Sequence, residues 1–78
     1  MTPAAIAEAL FVSSAQPSEH LTEGQLEAAV DSALDNHGGI DGCACECAAE
    51  FGDHPDTAAD RMRWALQAAA VSRHATVD

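Results

Sequence analysis

The chain contains no lysine and no tyrosine, and its three aromatic residues are Phe11, Phe51 and Trp64. Positive charge is confined to Arg61, Arg63 and Arg73, against thirteen acids, so the net charge is -10. That balance disfavours free association with nucleic acid, because phosphate affinity comes chiefly from Lys and Arg releasing counterions. No apolar run approaches the roughly 20 residues that span a bilayer, and the first residues lack the basic leader of a signal peptide. The three cysteines, Cys43, Cys45 and Cys47, are odd in number and crowded. They form no disulfide framework and point to a reducing cytoplasm.

What is present is small and helical. With 78 residues the chain makes one domain, and although 47% of it is apolar, Ala supplies much of that share. The core must come from thin helices packed closely, close to the lower limit of size for an independent fold. Helical periodicity recurs and no strand pattern does, so the expected fold is all-α: a compact bundle of four helices.

Thr2 and Pro3 suit an N-cap and first helical position for a short helix within residues 1–14, with Ile6, Ala9 and Leu10 on one side. Residues 15–21 read as a linker around Pro17. Thr22 with Gln25 is a capping-box signature that opens a second helix over 22–37, ended by Gly38 and Gly39. Within it Leu26, Ala29, Val30, Ala33, Leu34 and His37 form the apolar stripe. Asp41 is placed to cap a third helix over 42–51, with Ala44, Cys47, Ala48 and Phe51 inward and Gly52 as its breaker. Residues 53–56 form a turn, Pro55 opens a fourth helix over 55–72 with Ala58, Met62, Ala65, Leu66 and Ala69 inward, and 73–78 is a frayed tail.

Residues 47–66, CAAEFGDHPDTAADRMRWAL, have the cadence of a helix-turn-helix. Ala48, Phe51, Gly52, Thr57, Ala58 and Met62 resemble the motif of GntR-type winged-helix regulators, which implies a helix-turn-helix-like corner formed by the last two helices. The resemblance covers about twenty of the 78 residues. It implies DNA contacts by Thr57, Arg61 and Arg63 from a dimer. The chain departs from the motif at Asp53, after the turn glycine, and puts Asp56 and Asp60 on a face that would meet phosphate. The cadences FVSSAQPS near the start and EFGDHPDTAADRMRWA near the end also resemble a group of small uncharacterised proteins of high-GC bacteria, a likeness that implies no activity.

The acids of the second helix, Glu23, Glu27, Asp31 and Asp35, stand four apart with no Lys or Arg within the helix, and each like-charged pair costs a few tenths of a kcal/mol. Such a row is either a solvated face, a surface for a basic protein, or, at about 6 Å per step, a mimic of DNA phosphates. Trp64, on a side shared with Arg61, either covers the core against Phe11 or Leu10 or anchors a protein partner. The charge-free run Ala65–Val71 suits self-association as a homodimer. Cys43 and Cys47, one turn apart with His54 or His37 as a further ligand, are the metal candidates. The spacing is unlike that of familiar zinc loops and favours a buried thiol at Cys47 with Cys43 half-buried, so no cofactor is implied. With little room for a water-excluding pocket, the expectation is a protein-protein interaction function, regulatory in character, and no enzyme.

Overall fold

The computed structural model describes residues 1–71 and contains four α-helices: α1 (Pro3–Val12), α2 (Glu23–His37), α3 (Ile40–Asp53) and α4 (Pro55–Val71). A short 3-10 turn, Pro17–Glu19, interrupts the segment between α1 and α2. Residue 72 of the expected fourth helix and the expected tail 73–78 lie outside the described residues. The fold is the expected all-α bundle of four helices, but its centre is α1.

α1 carries one charge, Glu8, and buries six of its ten residues: Ala5, Ile6, Ala7, Ala9, Leu10 and Phe11. The expected inward side was narrower. A helix apolar on nearly every side is stable only when surrounded, and α1 packs against α2, α3 and α4 in turn. Ile6, Leu10 and Val30 are fully buried, each contributing about 1.5–3 kcal/mol of apolar transfer. Thr2 caps the helix as expected, its Oγ1 accepting the Ala5 N–H at 3.1 Å.

α2 follows its local signals. Thr22 Oγ1 accepts the Gln25 N–H at 3.2 Å, and Gln25 Oε1 accepts the Thr22 N–H at 2.9 Å. Leu26, Val30 and Ala33 are its buried stripe. Gly38 takes the left-handed conformation (φ 78°), and the Gly39 N–H donates to the Leu34 carbonyl at 2.7 Å, the six-to-one bond of a Schellman ending.

α3 differs from expectation at both ends. It starts at Ile40, with Gly39 rather than Asp41 at the N-cap, and the Cys43 N–H donates to the Gly39 carbonyl at 3.1 Å. Asp41 stands in the first turn instead, where a carboxylate favours the helix dipole. The early start is permitted by Gly42: a Cβ there would lie 1.4 Å from the His37 carbonyl oxygen, so the end of α2 and the first turn of α3 touch backbone to backbone. Gly52 does not break α3, which runs on to Asp53. A glycine in a helix costs roughly 1 kcal/mol without forbidding it. What ends α3 is Pro55, which pushes the residue before it out of the helical region; His54 sits at φ -139° and is the sole residue between α3 and α4.

The inward face of α3 is also rotated from the expected one. Cys43 and Cys47 are both buried, Ala48 is exposed, and Phe51 remains 38% exposed. Cys47 meets Glu8 and Phe51 stacks on Phe11, with centroids 5.8 Å apart and planes 18° off parallel. These contacts advance together along both helices, so α3 runs beside α1 in the same direction, and Phe51 arrives where α1 is ending. It covers Phe11 from outside. On α4, Ala58, Ala65 and Ala69 are buried, and Met62 is half-buried, but Leu66 is 48% exposed. The position on the inward stripe between Ala58 and Ala65 is occupied largely by Arg61.

Candidate interaction surface

α1 ends at Val12 with its last carbonyls facing α4. The Arg61 guanidinium fills that gap: Nε donates to the Phe11 carbonyl at 2.6 Å, and Nη2 donates to the carbonyls of Leu10 (3.2 Å), Ser13 (3.0 Å) and Ala15 (2.9 Å). Ser13 Oγ adds a bond to the Leu10 carbonyl at 2.6 Å. A cation at a helix C-terminus satisfies orphan acceptors and complements the dipole at once. Burial lowers the Arg61 pKa, with the nearby Cys47 acting in the opposite direction. Trp64, one turn on, covers the guanidinium with its ring centroid 4.8 Å from Cζ, a cation-π contact of about 0.5–2 kcal/mol. Trp64 is half-buried and packs on the edge of the core. It also lines a depression of about 260 Å³ with Pro17, Leu21, Leu26 and Val71.

The residues proposed for DNA contact are therefore dispersed. Arg61 is a side-chain cap for α1. Arg63 is on the surface, paired with Asp60 on the same helix. The Thr57 hydroxyl donates to the His54 carbonyl at 3.2 Å, within the turn. Of the acids of α2, Glu23, Asp31 and Asp35 are exposed and Glu27 is half-buried.

Cys43 and Cys47 are packed in the core. Cys43 Sγ donates to the Ala33 carbonyl at 3.7 Å, and Cys47 Sγ donates to the Glu8 carbonyl at 3.5 Å. Both are buried, so the expectation of a half-buried Cys43 is corrected; Cys45 is exposed. Burial, then Glu8, pushes the Cys43 thiol pKa up, and burial, then Glu8 and Cys43, pushes Cys47 up to about 12. His54 is exposed at the α3–α4 turn, and no group of three or more His, Cys, Asp or Glu able to hold a metal occurs among the described residues.

Two features escaped sequence reasoning. One is the Gln16–Glu19 cap, in which Glu19 Oε1 accepts the Gln16 N–H at 2.6 Å and organises the expected linker. The other is Arg61, whose signal was its place three residues after Ala58 and four before Ala65, where a charged side chain needs a buried partner. No helix among the described residues is long and apolar enough to cross a membrane. Compared with protein-family models, curated proteins and solved structures, the chain matches none.

Proposed function

We propose that the chain is a small acidic interaction protein of the cytoplasm, regulatory in character, that docks through its outward acids on a basic protein partner. One observation carries this: both described arginines are engaged within the chain, Arg61 by the carbonyls at the end of α1 and Arg63 by Asp60. Glu23, Asp31 and Asp35 of α2 are meanwhile exposed, and a net charge of -10 lies behind them. Opposed charge raises encounter rates with a basic partner and rejects like-charged ones. The same facts weigh against the DNA-binding alternative, since phosphate would meet Asp56 and Asp60 before any unengaged cation on α4. Burial, which raises the pKa of Cys43 and Cys47, weighs against thiol catalysis there, since that needs a lowered pKa.

A homodimer through α4 is a second reading, supported by Leu66 at 48% and Val71 at 62% exposure in a run without charge. Sedimentation equilibrium across a concentration series tests it, and a monomer throughout removes it.

The docking reading is tested by fluorescence anisotropy with two labelled probes, a lysine-rich peptide and a mixed-sequence duplex DNA, each at low and physiological salt. The peptide is expected to bind and to weaken as salt rises, with no DNA binding even at low salt. DNA binding that falls steeply with salt would overturn the proposal.

A further inference from the structure

We infer that the basic partner inserts a lysine side chain into the depression where the ends of α1 and α2 meet the side of α3, an inference that rests on the basic-partner reading above. The depression, of about 240 Å³, is lined by Phe11, Val12, His37, Glu46, Glu50 and Arg61. Val12 is the last residue of α1 and His37 the last of α2, so the negative ends of two helix dipoles meet there. Glu46 and Glu50 stand one turn apart on α3 and are exposed, and neither carboxylate is held in an ion pair among the described residues. Arg61 is the cation of the lining. Its Nε and Nη2 already serve the carbonyls of Leu10, Phe11, Ser13 and Ala15, so its charge answers the end of α1 and leaves the two carboxylates and the end of α2 without a permanent cation.

Carboxylates alone would only collect counterions; the floor beneath them selects more. Phe11 is buried and Val12 half-buried, an apolar base along which the four-carbon stem of a lysine can lie while its ammonium stays at the acids. An ammonium carries three donors on a compact head and can serve both Glu46 and Glu50. His37, Glu46 and Glu50 do not form a group able to hold a metal ion, so the site suits a cation that brings its own stem. Phosphate is repelled by the same pair, and a second copy of the chain has no lysine to offer. The occupant is a different, basic protein. The acids of α2 line no part of this depression and act from outside it, steering the approach.

The test compares binding of the lysine-rich peptide to the wild-type protein and to two double variants, Glu46→Gln with Glu50→Gln and Asp31→Asn with Asp35→Asn, by stopped-flow anisotropy at physiological salt. Each variant removes two exposed carboxylates. The first pair lines the depression, and its loss should weaken binding about tenfold, chiefly through faster dissociation. Loss of the second should weaken it by about twofold at most, through slower association. In the wild-type protein, nuclear Overhauser contacts should join lysine methylenes of the bound peptide to the Val12 methyls, with amide shifts at His37, Glu46 and Glu50. Equal weakening by the two double variants, or a bound peptide whose methylenes never reach Val12, would overturn the depression and leave the basic-partner reading standing. Failure of the peptide to bind the wild-type protein would overturn both.

Discussion

α1 and α2 both begin on a threonine cap, and they are held in opposite ways. α2 satisfies its own ends, with Gln25 returning to Thr22 and Gly38 and Gly39 folding back on Leu34. α1 does so only in part, through Thr2 at its start and Ser13 on the Leu10 carbonyl. The carbonyls from Leu10 to Ala15 are met by a side chain 46 to 51 residues further along the chain, and nearly every side of the helix is covered by another. The outer helix carries four acids and the inner one a single glutamate. In this protein Arg61 is used internally to close the central helix, whereas Arg63 and most of the α2 acids stand on the surface.

That contrast can be broken from the inside first. Gly42→Ala should have the largest effect, because its Cβ would meet the backbone of His37 at 1.4 Å. No side chain can yield there, so a loss of about 3 kcal/mol or more is expected in a urea melt. Next, Arg61→Met keeps much of the side chain's bulk but leaves the carbonyls of Phe11, Ser13 and Ala15 short of donors, at a cost of about 2–3 kcal/mol.

A third test uses pH. Cys47 is raised to about 12 in the folded chain, above the 9.0 of an ordinary thiol, so on raising the pH the unfolded chain loses this proton first. Its contribution is complete below about pH 9 and is lost between pH 9 and 12. Cys47→Ala should flatten that alkaline decline, read as stability against pH. Phe51→Ala should have the smallest effect, about 1 kcal/mol. The ring stacks on Phe11 yet stays 38% exposed, short of the 3–5 kcal/mol expected for a fully buried phenylalanine.

The same division explains what could be read in the sequence. Thr2, Thr22 with Gln25, Gly38 and Pro55 act within a few residues of themselves, and α2 and the start of α4 follow from them. The register of α3 depends on a contact across the α2–α3 corner: Gly42 is needed for the closeness of His37, whereas Gly52, with the stronger look of a breaker, has nothing within 4 Å of its Cβ direction and sits inside the helix. Phe51 and Leu66 have the spacing of core residues, but Phe51 falls where α1 is ending and Leu66 stays exposed beside the buried Ala65 and Ala69. At the candidate surface, the outward direction of Asp31 and Asp35 was legible from the heptad-like stripe beside them.

The most direct measurement is hydrogen exchange of the arginine Nε–H protons in the ¹⁵N-labelled protein. Arg61 Nε donates to Phe11 at 2.6 Å under the Trp64 ring, while Arg63 is a surface residue two positions away. A slowly exchanging Arg61 Nε–H beside an Arg63 Nε–H that exchanges at the solvent rate is the predicted result. Exchange of both at the solvent rate would contradict the internal use of Arg61, and with it the division between a closed inner charge and an open acidic surface.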